Sequence, residues 1–307
     1  MPFLGVDPWR WQYFAAQPVR DGLVIPIDDS TAWQLYPAHR WVYNKLLICE
    51  TQGLPHGPHG TMPKSYPVFS KPIYNMRGMG TGGLVVHSEE EYIAALAPGH
   101  LWMPYMSGPH VSTDAAVLDG RFMWWRHTTG EPGPEGTFDY WTVHGEPDPM
   151  LESYLGTWLE RHLGGFTGVV NFETIGGRII ECHLRMAEQW LDINGAGWLR
   201  AVVALYEGKG WRFADARREG YSVVLFGAHN QRWSIDRTAV GRLHARPGIS
   251  SIQITFEEEA DPAHHAMPPG GFRLAIVNCW DLEAGFAARA ELKRLFVADG
   301  MSAAAPS

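Results

Sequence analysis

FTGVVNFETIGGRIIECHLRM, residues 166–186, is the stretch whose reading decides the fold. Two apolar runs, FTGVVNFE and RIIECHLRM, flank Gly176 and Gly177, and so read as an antiparallel strand pair. In the second run Ile180, Cys182, Leu184 and Met186 alternate with Glu181, His183 and Arg185, which gives one apolar face and one face of acid, imidazole and guanidinium. Asn171 and Glu173 alternate in the same way on the partner. Four oxygen or nitrogen donors can therefore converge on a hard cation, and magnesium completed by phosphate oxygens is the natural candidate, with Arg185 beside it. Register decides whether they do. A two-residue turn at Gly176 and Gly177 would set Asn171 opposite Cys182, away from Glu181, so the metal reading predicts a loop with an odd number of residues.

Upstream, the densest special-backbone segment is Arg77-Gly78-Met79-Gly80-Thr81-Gly82-Gly83, between candidate strands at 67–73 and 83–87. Glycines let backbone N–H groups approach an anion closely, but neither a Walker loop nor a dinucleotide fingerprint is present. Lys71, in the strand entering this hairpin, shares a face with Phe69 and Ile73. Lys45 lies in a helical pattern from Pro37 to Gly53, with Trp41 and Cys49 one turn to either side. Each lysine either extends its stem to the surface or meets a phosphate. Ser88 and Glu91 form a capping box, Asp119-Gly120 marks a hairpin, and residues 129–149 read as a Gly/Pro/Glu-rich loop before a helix at 150–163. Further on, a helix from about 197, strands near 221–226, 250–257 and 272–278, and a helix at 281–297 are expected.

Composition bounds the function. The 307 residues are 45% hydrophobic, with 14 Trp, 11 Tyr and 13 Phe, which excludes a disordered chain. The net charge of -8 and the lack of any Lys/Arg run longer than two argue against nucleic acid as a partner. No apolar stretch is long enough to span a membrane, the first residues do not read as a signal peptide, and Cys49, Cys182 and Cys279 suggest no disulfide framework, so the expected compartment is the cytoplasm. His56, His59, His264 and His265 read as surface histidines. The many tryptophans leave a sugar-binding module as a weaker idea, which exposed indoles would support.

The order of these parts resembles the ATP-grasp superfamily of carboxylate-activating ligases. The resemblance rests on NK at 44–45, the FSKP strand, the glycine hairpin, MPYMSGPHVSTD and the pair GVVNFE and IIECHLR, and covers roughly residues 23–200. It implies an α+β ATP-grasp fold with ATP between two antiparallel-sheet lobes, divided into a short remnant at 1–36, a core at 37–204, a sheet and helix region at 205–298 and a disordered tail at 299–307. It also implies that Lys45 and Lys71 contact ATP phosphates, that Gly78, Gly80, Gly82 and Gly83 close over them, and that Met103, Tyr105 and Met106 form the adenine hinge. Asn171, Glu181 and His183 then face magnesium, while Lys71 and Arg185 assist catalysis. The implied activity is magnesium-dependent ligation of a carboxylate to an amine through an acylphosphate, and a homodimer is compatible with it. The family has an acid or Gln where Asn171 stands and Asn where His183 stands. The alternative is therefore a catalytically weak nucleotide-binding regulator or scaffold. On either reading Glu181→Gln should cost little stability, because the residue is expected on a solvated strand face.

Overall fold

The computed structural model describes residues 3–4, 17–76, 80, 82–256, 258 and 271–298. Arg77, Gly78, Met79, Thr81, His264, His265 and the expected tail lie outside them. Phe3–Leu4 (β1) pairs in parallel with Ile25–Pro26 (β2), and the helix Asp29–Leu35 (α1) follows. Next come Lys45–Thr51 (α2), Gly57–Pro58 (β3), Val68–Pro72 (β4), Leu84–Val86 (β5), Glu89–Ala94 (α3) and His100–Pro104 (β6). The middle of the chain forms His110–Leu118 (β7), Arg121–Pro132 (β8), Phe138–Val143 (β9), Pro149–His162 (α4), Gly168–Ile175 (β10), Arg178–His183 (β11) and Trp198–Tyr206 (α5). Gly220–Gly227 (β12), Trp233–Ile235 (β13), Arg237–His244 (α6), Ile249–Ile254 (β14), Phe272–Cys279 (β15), Leu282–Leu295 (α7) and Phe296–Ala298 (β16) complete the order.

Two sheets carry the architecture. The smaller has the order β3-β6-β4-β5, and the larger has the order β11-β10-β7-β8-β9-β12-β15-β14. Because β12 pairs with β9, the large sheet runs unbroken past residue 204, and the boundary drawn at 204 and 205 falls inside α5. One face of the sheet is covered by α4, through Leu151, Leu155, Trp158 and Leu159 against Val170 and Phe172, and further along by α6 and α7 over Val223, Ala275 and Val277. The opposite face meets α5 and the segment after β11, where Trp190 packs on Trp141 and Val224.

Local signals account for most of this. Ser88 Oγ accepts from Glu91 N, while Glu91 Oε2 accepts from His87 N, so α3 starts where its capping box stands. Asp119 and Gly120 both have positive φ, 50° and 74°, the conformation a two-residue hairpin needs. Three expectations are corrected. Phe138–Val143 is a strand and not part of a loop, since its own residues alternate although its neighbours are turn formers. The helix from Pro37 begins only at Lys45, because the Asn44 side chain accepts from Leu46 N at 3.0 Å and resets the start. Residues 29–35 form a helix that no period announced; Asp28 caps it by accepting from Thr31 N at 2.8 Å.

The β10–β11 register is the main correction. The turn has two residues, Gly176 and Gly177, at φ 55° and 74°, with Ile175 opposite Arg178, so the expected odd loop is absent. A β-bulge supplies the odd residue instead: Thr174 faces Ile179, Glu173 faces Glu181, and Ile180 is the extra one. Asn171 consequently faces His183, not Glu181 or Cys182. Side chains from far away hold the bulge. Lys71 Nζ donates to Ile180 O at 3.0 Å, and the Gln52 amide pairs with the Ile179 backbone, donating to its O at 2.8 Å and accepting from its N at 3.0 Å.

Candidate active site

Glu173 and Glu181 stand side by side on β10 and β11, and His183 completes a group whose ligand atoms all lie within 4.8 Å of one another. His183 Nε2 is 3.6 Å from Glu181 Oε2 and 3.8 Å from Glu173 Oε1. The other Glu181 oxygen, Oε1, faces two lysines. Lys45 Nζ, at the first turn of α2, is 3.7 Å away, and Lys71 Nζ, on β4, is 3.5 Å away. Both lysines are buried, at 5% and 6% exposure, so neither extends to the surface. Burial pulls the Lys45 ammonium below its usual range, and Glu181 opposes that shift.

A residue from the first helix anchors the far side. Asp29 Oδ1 lies 3.1 Å from His183 Nδ1, and the Arg185 guanidinium forks onto the same carboxylate, Nε to Oδ1 and Nη2 to Oδ2, each at 3.1 Å. Burial would raise the Asp29 carboxyl, but Arg185 and His183 outweigh it and hold it well below the usual carboxylate range. Arg185 is thus committed to Asp29. Asn171 shares the face of His183, but its amide donates to Ser112 Oγ at 2.9 Å and Asp114 Oδ1 at 3.0 Å on β7. Glu173 is also 3.4 Å from His110 Nε2; burial raises its carboxyl, and His110 beside it, with His183 and Arg185, prevails to lower it to about 2.

An apolar wall closes the cluster where the two sheets meet. Cys49, Leu101 and Met103 are buried there, with Leu46, Phe69, Ile73, Met106 and Ile180 packed against them. Tyr105 is exposed and its backbone N donates to Pro67 O at 3.4 Å. Among the glycines of the hairpin, Gly80 and Gly82 have positive φ, and Gly83 N donates to Gly80 O at 3.1 Å. A cavity of about 260 Å³ opens beside His110, lined also by Thr129, Glu131, Tyr140 and Thr142.

The structure therefore brings Lys45, Lys71, Glu181 and His183 together, leaves Asn171 and Arg185 one shell behind them, and sets Met103 and Met106 in the adjoining wall. Sequence reasoning missed Asp29 altogether. Its signal was the Asp28-Asp29-Ser30 cap, which marks a helix start but says nothing about a partner 154 residues away. Glu173 was visible in the alternation but not kept among the ligands. His56 and His59 are half-buried and not free surface groups; His59 bridges Ser70 Oγ at 2.9 Å and Ala97 N at 3.0 Å. No tryptophan is among the exposed large hydrophobics of the described residues, which removes the support for a sugar-binding face.

No profile of a known family matches the chain, and no curated protein does. Solved structures do. Phosphoribosylamine–glycine ligase from Thermotoga maritima superposes with a TM-score of 0.65 at 15% identity, covering 94% of this chain and 85% of that one. L-amino acid ligase from Bacillus licheniformis gives 0.62 at 14%, covering 95% and 84%. The biotin carboxylase domain of 2-oxoglutarate carboxylase from Hydrogenobacter thermophilus, solved with MgADP and bicarbonate, gives 0.55 at 13%, covering 91% and 70%. This chain has the ATP-grasp fold, as those ligases do. Among the described residues no helix is long and apolar enough to cross a membrane.

Proposed function

We propose that the protein binds ATP where its two sheets meet and uses it to join a carboxylate to an amine. A carboxylate oxygen attacks the γ-phosphorus and ADP leaves; the amine nitrogen then attacks the acyl carbon, inorganic phosphate leaves, and the nitrogen loses its proton. The observation that carries this reading is the convergence of two buried lysines on a carboxylate they share with a histidine, at the junction of the two sheets of an ATP-grasp fold. Lys45 and Lys71 are buried cations that share Glu181 at 3.7 and 3.5 Å, long enough for triphosphate oxygens to compete for both, and Lys71 gives up its bond to the Ile180 carbonyl when they do.

The remaining roles follow from position. The apolar wall around Met103 and Met106 suits an adenine ring, with hinge backbone at Tyr105 beside it; Gly80 and Gly82 supply backbone N–H groups to the phosphates, and Gly83 closes the turn by donating to Gly80 O. Arg185, fixed on Asp29, adds positive charge behind the phosphoryl end without being free to travel. Glu173 and Glu181 are oxygen donors of the kind a divalent cation accepts, so the donor set fits a metal ion. Such an ion, when bound, neutralises phosphate charge in the transition state. His110, 3.4 Å from Glu173, also lines the cavity of about 260 Å³.

A second reading, nucleotide binding without turnover, is favoured by Asn171, which stands where the resemblance implies an acid or Gln and is tied by its amide to Ser112 and Asp114. ADP release measured with and without an added carboxylate and amine separates the two. Release that depends on both supports the ligase, whereas a melting shift with MgATP and no release supports the regulator. No shift at millimolar MgATP removes both.

A further inference from the structure

Among the side chains at the junction, His183 is built differently from a bystander. Its ring is fixed from behind, with Nδ1 3.1 Å from Asp29 Oδ1 and the Asp29 carboxylate itself fixed by the two-point contact with Arg185. Tyr43 lies edge-on to the ring with centroids 6.3 Å apart, and the side chain is 4% exposed. The front nitrogen, Nε2, is buried and has no hydrogen-bond partner. It points between Glu181 Oε2 and Glu173 Oε1, 3.6 and 3.8 Å away, too far for hydrogen bonds. Ligands about 2.1 Å from one ion at tetrahedral to octahedral angles stand roughly 3.0–3.4 Å apart. The two spacings from His183 are a few tenths of an ångström wider and all three ligand atoms lie within 4.8 Å of one another, an arrangement that a bound ion draws in.

Magnesium takes oxygen ligands and keeps much of its water, whereas imidazole nitrogen suits first-row transition ions, increasingly so from Mn²⁺ toward Cu²⁺. A carboxylate behind the distal nitrogen is the usual device that orients a metal-binding histidine and raises its basicity. We propose that His183 Nε2, with Glu173 and Glu181, forms a mixed nitrogen–carboxylate centre that takes a transition ion such as Mn²⁺ or Co²⁺ in preference to Mg²⁺. The proposal rests on the nucleotide reading above, because Lys45 and Lys71 must move from Glu181 to phosphates before an ion takes up the carboxylate.

The test uses the full chain with ADP and Mn²⁺, read by pulsed electron paramagnetic resonance, with Mg²⁺ as competitor. Expected are an imidazole ¹⁴N coupling on the bound Mn²⁺ and a preference for Mn²⁺ over Mg²⁺ about tenfold beyond that of free ADP. His183→Asn should lose the coupling and the extra preference while keeping its affinity for ADP. Glu173→Gln, which retains the imidazole, should weaken both ions alike and keep the coupling; it serves if the first variant folds poorly. Mn²⁺ held with ADP but without nitrogen coupling overturns the proposal, as does ADP bound with no retained ion. If ADP itself fails to bind, the nucleotide reading falls, and the centre, which needs Lys45 and Lys71 drawn from Glu181 by phosphates, falls with it.

Discussion

Two buried charge clusters on the same sheet are put together in opposite ways. On β8, Arg126 is 2% exposed and pairs with Asp215 directly, while Arg126 Nη1 also donates to Arg218 O at 3.2 Å. Asp215 in turn accepts from Trp124 Nε1 at 2.6 Å and from the Arg217 backbone at 2.7 Å. At the β11 edge, one oxygen of Glu181 is shared by two lysines at 3.5 and 3.7 Å, and the nitrogen facing its other oxygen has no partner. The first cluster holds its two charges in direct contact, with Arg126 Nε alone left unbonded, and pins the segment after α5 to the sheet. The second gathers charge without closing it. Short, directly paired charges secure the chain; loose, shared ones are positioned for something that arrives later.

The sharpest test of that contrast is Glu181→Gln. Carboxylate- and amine-dependent ADP release should fall roughly a thousandfold. The expectation that this change costs little stability does not survive the structure: Lys45 and Lys71 would be left as neighbouring buried cations, so the ligand-free variant should melt lower than the parent. A variant turning over at the parental rate would make Glu181 a structural residue like Asp215. The converse change, Arg126→Ala, strands Asp215 and should cost about 3–5 kcal/mol in denaturant unfolding. Its ADP release per folded molecule should stay unchanged, and a selective loss of release would erase the distinction between the clusters.

Ligand linkage gives a third comparison. MgATP at a hundredfold excess over its dissociation constant should raise stability by about 2.7 kcal/mol, and Lys71→Ala should remove most of that gain. An equal gain in both proteins would take Lys71 out of the site.

The smallest effect concerns pH. Burial raises the Asp114 carboxyl to about 6, against hydrogen bonds from Ala187 N and Asn171 that work to lower it. Its folded value lies above the unfolded one near 3.8, so its contribution to stability is full below pH 4 and is lost as pH rises through 6. Asp29 and Glu173 are shifted down and act oppositely, their stabilisation being lost as pH falls below 4. Replacing Asp114 by Asn should therefore flatten the decline between pH 4 and 6, a difference on the order of 2 kcal/mol. Parallel unfolding curves of parent and variant across that range would show that Asp114 is ionised throughout.

What could be read from the sequence was local. The capping box at Ser88 and Glu91, the turn at Asp119-Gly120 and the alternation of Glu181 and His183 concern residues a few positions apart, and each appears where expected. The part that could not be read is set by contacts across more than a hundred residues. Alternation groups Ile180 with Cys182; in the fold Ile179, Cys182 and Leu184 share one core, and Ile180 turns toward Met103. Nothing near Ile180 signals this, because its stabilising partner Lys71 lies 109 residues away. Asp29 was invisible for the same reason, and β9 was hidden by the turn-forming composition around it. The site was thus half legible: the residues that carry charge were found, but not the ones that decide which way they point.

The bulge has one more consequence. β11 is the outermost strand of an eight-stranded sheet, and an open strand edge is an invitation to pair with another chain. Here the Gln52 amide occupies the Ile179 backbone as a strand neighbour would, and Lys71 takes the Ile180 carbonyl. Two side chains thus act as a cap of one residue's width on the sheet. The lysine is the weak half of that cap, since whatever draws its ammonium away also uncovers the Ile180 carbonyl.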